Sequence, residues 1–334
     1  MVYHLSHNDL DGYGAQLITN TIFKNDIQFF NSGYGKQIDE NLTEIFKTIT
    51  EKDMLLLTDL NLTMEQADKL NLYADMKGFQ LLLIDHHETG KPCANKYDWY
   101  HLDITKSATK LTYDFFTQEV YKSNRLANIV KIINANDLWL MEDENLLEQG
   151  KSLSQNLFDC KNEFPKVLKN LEPKFLIYMI NKLGFLHTVG VSIPEVEGQV
   201  YNLKRNYFDP NQKSLLPFHV LKIHYMYEFI LKSDLYINIE IENKKGVLFY
   251  GLSSIFQEFS HIYLNKTDID FVANISEQGR ISFRTTKDNV SVSEISKKYF
   301  KGGGHQKASG GSIPDTNNKK LSKEEAFELF QKQY

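Results

Sequence analysis

Four short runs carry the residues able to do chemistry. They are Ser6-His7-Asn8-Asp9-Leu10-Asp11-Gly12, Thr58-Asp59-Leu60, Ile84-Asp85-His86-His87 and Asn136-Asp137-Leu138-Trp139. Carboxylates and imidazoles supply oxygen and nitrogen donors that suit divalent metals such as Mn²⁺. His7, Asp9 and Asp11 alternate, so one extended loop can direct several donors to a shared centre. Two metals about 3.5–4 Å apart can be bridged by one carboxylate and clamp an in-line displacement at phosphorus. Singly, each run is weak evidence: an Asp after a strand is commonly a helix cap, and a His pair is commonly a surface or core feature. The cysteines, Cys93 and Cys160, form no paired motif, which excludes a structural zinc finger.

The elements that must position these groups change the balance. Val2 to Ser6 is a β-prone run, Gly14 to Phe23 has helical apolar spacing, and Ile27 to Asn31 is a second strand candidate. Met54 to Thr58 and Gln80 to Ile84 are continuous apolar runs of the kind found in buried parallel strands, with a helix expected over Met64 to Lys77. Three of the four clusters then fall at the carboxyl ends of parallel strands, where open α/β sheets form their sites. After Ser107 the pattern turns helical: Lys110 to Gln118, Leu126 to Asn134 and Lys166 to Leu183 are the clearest stretches. Gly184 to Pro217, with three prolines, reads as connecting structure.

A second α/β pattern starts near Leu235. Tyr236 to Ile241 and Val247 to Gly251 are expected as partner strands across the turn Asn243-Lys244-Lys245-Gly246. Ser253 to Tyr263 is an expected helix, Phe271 to Ser276 and Arg280 to Thr285 a hairpin, and Val292 to Tyr299 a helix. The run GGGHQKASGG follows. Gly302, Gly303 and Gly304 let backbone amides approach a ligand and form an anion nest, with His305 and Lys307 adding charge or hydrogen bonds. The commonplace alternative for such a run is a linker or turn.

The fold expected is α/β: an N-terminal parallel-sheet domain with a helical extension, and a smaller C-terminal mixed-sheet domain across a cleft. The boundaries read as 1–184, a helical or irregular connection over 185–234, and 235–334. The 334 residues suffice for two domains, and the 42% hydrophobic and 24% charged content is that of a globular chain. The net charge of −5 argues against a protein that coats long duplex nucleic acid and favours a short phosphorylated ligand. Two cysteines fit a reduced cytoplasmic setting rather than a disulfide framework. No secretory leader and no apolar run long enough to span a membrane is expected.

The order HNDLDG, TDL, DHH, NDLW resembles motifs I to IV of the DHH phosphoesterases, and GGGHQKASGG resembles the signature of their usual C-terminal companion, the DHH-associated domain. The resemblance spans most of the chain. It implies two divalent metal ions, most often Mn²⁺. His7 and Asp9 would bind the first; Asp11, His86 and Asp137 the second; Asp59 would bridge both. Asp85 and His87 would be the catalytic pair, His87 facing the substrate phosphate and Asp85 orienting the histidines. Arg284, with Gly302, Gly303, Gly304 and His305, would hold the substrate's distal phosphate; Arg280 and Lys301 are the other cations nearby. One spacing narrows the branch. His7 stands only two residues before Asp9, which is more similar to the exonuclease and NrnB-like members than to the family II pyrophosphatases.

A stand-alone DHH plus companion-domain chain resembles the oligoribonucleases of the NrnA and NrnB kind. The activity this implies is hydrolysis of very short RNA, linear dinucleotides and 3′-phosphoadenosine 5′-phosphate, with two metals activating water. The substrate is then the partner, with no membrane and a homodimer admissible. Cyclic-dinucleotide hydrolysis is the alternative within the class. A nucleotide sensor with a vestigial site is the non-enzyme alternative; it predicts lost ligands, whereas all six metal positions hold suitable donors.

Overall fold

The computed structural model describes residues 1–117, 124–314 and 320–334. The chain divides into two compact units, residues 1–163 with 170–207, and residues 164–169 with 208–334.

In the first unit, β1 (Val2–His7), α1 (Leu10–Phe23), β2 (Ile27–Ser32), α2 (Lys36–Phe46), β3 (Met54–Thr58), α3 (Met64–Lys77) and β4 (Gln80–Asp85) alternate. A short α4 (Lys91–Ala94) and β5 (Tyr100–Leu102) follow, then α5 (Ala108–Phe116), α6 (Asn124–Asp137), α7 (Glu144–Cys160), α8 (Glu172–Thr188) and α9 (Ile193–Phe208). The five strands are parallel in the order β2-β1-β3-β4-β5. In this order the chain leaves β1 for β2 on one side and returns as β3 on the other. The switch point, where such sheets place their ligands, therefore lies between β1 and β3. One core cluster brings Leu5, Leu55, Leu57 and Leu83 together with Ile38, Ile45, Ala67 and Leu70. Elsewhere in the unit, α1 packs on α5 and α8.

Local chemistry fixes the element ends. Thr63 and Gln66 form a capping box at the start of α3, and Gly78 ends it in the left-handed conformation. The helix expected over Lys166 to Leu183 is two elements, because Leu168 leaves helical geometry and Pro173 sits in the first turn of α8. The region Gly184 to Pro217, expected as connecting structure, holds the sixteen-residue α9. Its prolines do not interrupt it: Pro194 lies in the first turn, and Pro210 and Pro217 lie beyond its end. Of the helix expected over Lys110 to Gln118, Gln118 lies outside the described residues.

In the second unit, α10 (Phe218–Leu231) precedes β6 (Tyr236–Ile241), β7 (Lys244–Tyr250), α11 (Phe256–Lys266), β8 (Phe271–Ile275) and β9 (Arg280–Arg284). Then come α12 (Val292–Tyr299), β10 (Gly303–His305), β11 (Ala308–Ser312) and α13 (Lys323–Gln331). The sheet order is β10-β11-β9-β8-β7-β6, with β7 and β8 parallel and the other pairs antiparallel. Phe249, Phe259, Phe271, Phe283, Phe300 and Phe330 are fully buried here, and the Phe300 and Phe330 rings stack at 4.6 Å.

Two further expectations need correction. The β6–β7 turn is not Asn243 to Gly246 but the pair Glu242-Asn243, both left-handed at φ 49° and 62°. That is the two-residue turn whose twist matches a hairpin, so Lys244 to Gly246 belong to the strand. The glycine run is likewise not an open loop. Gly303, Gly304 and His305 pair with Gly310, Ser309 and Ala308 as a hairpin at the sheet edge. A Cβ on Gly302 would stand 1.9 Å from the Gly310 carbonyl oxygen, so the missing side chain serves close backbone crossing. The Gly302 amide donates to Ser296. Among the described residues, no helix is long and apolar enough to cross a membrane.

Candidate metal centre

Three strand ends and one helix end converge. Parallel register sets Ser6 beside Thr58 and Thr58 beside Ile84, so the residues that follow β1, β3 and β4 emerge at one level. His7 closes β1, and Asp9 caps α1 by accepting from the Gly12 amide at 3.0 Å. Thus Asp9 is a helix cap through Oδ1, while its Oδ2 stays available. Asp59 follows β3 with φ 58°, a left-handed bend that Asp tolerates better than most residues. Asp85 ends β4, and Asp137 is the last residue of α6.

The donors form two overlapping groups. Nδ1 of His7 lies 2.7 Å from Oδ2 of Asp9 and 3.7 Å from Oδ2 of Asp59. Nε2 of His86 lies 3.3 Å from Oδ1 of Asp59, 3.6 Å from Oδ2 of Asp137 and 3.7 Å from Oδ2 of Asp11. The two oxygens of Asp59 therefore face different histidines. His7, Asp9 and Asp59 can jointly hold a metal ion, as can Asp11, His86 and Asp137; Asp59, His86 and His87 form a third such set.

The protein's own atoms leave this cluster incomplete. Asp59 Oδ2 and Asp137 Oδ2 are buried without a hydrogen bond, and His7 Nδ1 meets only the carboxylates of its own cluster, although native interiors satisfy nearly all such atoms. Burial, together with the charges of Asp11 and Asp9, raises Asp59 well above the carboxylate range. Burial and then the Asp11 charge push Asp137 up to about 7. Asp11 is raised by burial and by Asp9. At His7, burial favours the neutral ring, but Asp59 and Asp9 outweigh it and hold the imidazole up to about 9. Asp9 shows the reverse: burial opposes its charge, yet His7 brings it to about 2. Crowded carboxylates that cannot all ionise beside one imidazolium match the donor set that a divalent cation completes.

Supporting contacts fix the donors. Asp11 accepts from the Ala108 and Thr109 amides at 2.6 and 2.9 Å, at the start of α5. Asp85 is fully buried and joins His87 Nδ1 at 2.7 Å and the Tyr100 hydroxyl at 2.6 Å. The Asp85 carboxylate only accepts, so Nδ1 of His87 carries the proton and Nε2 points away from Asp85. There it meets the Tyr34 hydroxyl at 3.0 Å. His4 is no part of the centre: it is fully buried, with its nitrogens 2.8 Å from Thr19 and Thr58. Asn8 is exposed.

Sequence reasoning missed Tyr34, Tyr100 and Thr109. For Tyr34 a signal existed, since it follows β2 at the same carboxyl edge that singled out the other clusters.

In the second unit, Arg284 pairs with Ala308, which pairs with His305. Directly opposed residues share a face, so Arg284 and His305 flank small Ala308 in one row. Arg280 lies at the far end of β9, opposite Ser312. The Arg284 guanidinium donates to the Phe283 carbonyl at 2.8 Å. It borders an open pocket of about 530 Å³ shared with Thr285, Ala308, Gln257, His261 and Leu264.

The chain is similar to several known proteins. The DHHA1 domain model matches residues 252–332. The 3′,5′-cyclic-nucleotide phosphodiesterase of Helicobacter pylori is 30% identical, over 98% of this chain and 98% of that protein. Oligoribonuclease NrnB of Bacillus subtilis is 29% identical, over 98% of this chain and 75% of its own. The crystal structure of an uncharacterized protein from Helicobacter pylori G27 superposes with a TM-score of 0.77 at 26% identity, covering 99% of each chain.

Proposed function

The chain belongs to the DHH phosphoesterase family and is a phosphoester hydrolase acting on nucleotides; from that premise we propose that it cleaves very short RNA and linear dinucleotides, and removes the 3′ phosphate of 3′-phosphoadenosine 5′-phosphate. The observation that carries the reading is the divided use of Asp59, one oxygen toward His7 and the other toward His86.

We assign His7, Asp9 and Asp59 to one divalent cation and Asp11, Asp59, His86 and Asp137 to a second, with Mn²⁺ the favoured ion. When bound, such a pair supplies Lewis acidity for activating water and for steadying the leaving oxygen. The protein's residues do the rest. Ala108 and Thr109 hold Asp11 in one orientation. Asp85 stabilises a proton on His87 Nδ1, and the opposite nitrogen of His87 is assigned to a phosphate oxygen of the substrate. Arg284, His305 and the Gly302, Gly303 and Gly304 backbone are assigned to a non-reacting phosphate. The two buried free cysteines suit a reducing cytoplasmic setting, and a homodimer is compatible with the assignment.

A second reading has its own support. The Helicobacter pylori relative named for cyclic nucleotides spans nearly the whole of both chains, which favours cyclic phosphodiesters as substrates. One panel separates the readings: protein with Mn²⁺ offered phosphoadenosine phosphate, linear dinucleotides, longer oligomers, cyclic mononucleotides and a cyclic dinucleotide. Turnover of the linear dinucleotide and phosphoadenosine phosphate is expected. Turnover of the cyclic compounds alone would replace the first reading by the second.

A further inference from the structure

Tyr34 lies in the loop between β2 and α2, and its side chain is 45% exposed. Its ring stacks on His7, with centroids 4.5 Å apart and planes at 29°. It also meets His87 edge-on at 5.7 Å and 79°. Its hydroxyl stands 3.0 Å from Nε2 of His87.

The contacts on the other side of the ring fix what Nδ1 does. Asp85 Oδ1 is 2.7 Å from His87 Nδ1, and Asp85 Oδ2 accepts from Tyr100 at 2.6 Å. Nδ1 is thus a donor to Asp85, and the phenol, which can donate or accept, partners Nε2; when Nε2 also carries a proton, the phenol oxygen accepts it in the place a phosphate oxygen would take. The nitrogen assigned to the substrate is thus already taken by a neighbouring side chain. The loop is built to release it. Tyr34 stands between Gly33 and Gly35, and Gly35 sits at φ 71°. The Gly33 amide is held by Gln37 and the Gly35 carbonyl by Gln66, so the loop ends are anchored while the exposed ring between them can turn.

We propose that Tyr34 is a substrate-displaced positioning residue: its phenol occupies the His87 Nε2 position, keeps that ring aimed into the centre, and yields the position to an incoming phosphate oxygen. This rests on the assignment of His87 to the substrate phosphate. Two consequences are opposite in sign. Substrate binding must break the Tyr34–His87 hydrogen bond, so removing the hydroxyl tightens binding. Removing the ring frees both His7 and His87 to wander, so catalysis slows even though the position is vacant.

The test uses the full chain with Mg²⁺, AMP as the probe for calorimetry, and a linear diadenylate for kinetics. Tyr34→Phe is expected to tighten AMP about fivefold, one ordinary hydrogen bond's worth, and to lower KM in step. Tyr34→Ala is expected to lower kcat by about tenfold or more. His87→Ala weakens AMP and, in the double variant, makes its affinity indifferent to Tyr34→Phe. If Tyr34→Phe leaves AMP binding unchanged or weakens it while His87→Ala still weakens it, the displacement idea falls and the His87 assignment stands. If His87→Ala leaves AMP affinity intact, the assignment falls and takes the proposal with it. Tightening by Tyr34→Phe that persists in the His87→Ala background overturns the proposed route.

Discussion

Nε2 of His86 lies 3.3 Å from Oδ1 of Asp59. The other oxygen of that carboxylate turns toward His7, 3.7 Å from its Nδ1. A single carboxylate therefore joins the donors that follow β1 to those that follow β4.

Asp59→Asn keeps the shape and the left-handed bend but removes the charge. Hydrolysis should fall by more than the roughly 10–100-fold typical of losing an outer partner, with metal stoichiometry falling as well. Initial rates and metal content after dialysis check this. Full activity with full metal content would show that Asp59 bridges nothing.

Acidity gives a second expectation. Asp137 is raised to about 7 and His7 to about 9. Raised groups stabilise the fold while protonated, and that stability is lost as pH climbs through the folded value. For Asp137 that loss runs from the ordinary carboxylate range up to about 7 and for His7 from about 6.5 to about 9, so the thermal stability that the metal-free protein should lose between pH 7 and 9 reports mainly His7. His4, lowered to about 3 by burial, acts only below its ordinary value of about 6.5 and does not blur this window. Metal binding expels the same protons, so its affinity should rise with pH across the same range. Thermal scans with and without Mn²⁺ at pH 7, 8 and 9 should show opposite slopes.

Core and site are separable at His4. His4→Ala removes the partner of Thr19 and leaves a buried gap, at about 2–4 kcal/mol of stability. Metal affinity should be retained at temperatures where the variant is folded. Chemical denaturation and metal titration read the two effects separately.

A similar test applies to Gly12, where an added Cβ would meet the His7 carbonyl oxygen at 2.1 Å. Gly12→Ala must shift the loop that carries His7 and Asp9, so here stability and metal affinity should fall together. A fully stable, metal-competent Gly12→Ala protein would mean that the loop has slack.

For the second unit, Arg284→Ala should raise KM with little change in metal content, because its guanidinium lies among β9, β11 and the pocket wall of α11. Loss of metal in that variant would refute its assignment to substrate phosphate.

The elements that build the centre were legible because burial writes itself plainly: MLLLT and QLLLI are runs that suit a strand covered on both faces, and they became β3 and β4. The donors were legible because Asp and His stand at the ends of those runs. Tyr34 shares that strand edge, the one signal it had, but an aromatic residue is no metal donor and acquires its meaning only beside His7 and His87. The β6–β7 turn misled because Gly246 looked like the turn residue, while Asn243 adopts the left-handed backbone instead. Proline misled over α9, where Pro194 sits in the one turn that tolerates it.

The bend at Asp59, with φ 58°, has a consequence for anyone seeking to retune the ion this protein prefers. Glu would lengthen the donor and fit the backbone less well; Gly would keep the backbone and lose the donor; Asn would keep both and lose the charge. Position 59 thus offers an engineer almost no room to manoeuvre. Asp9, with a side chain 47% exposed and an ordinary extended cap geometry, is where a search for altered ion preference should begin.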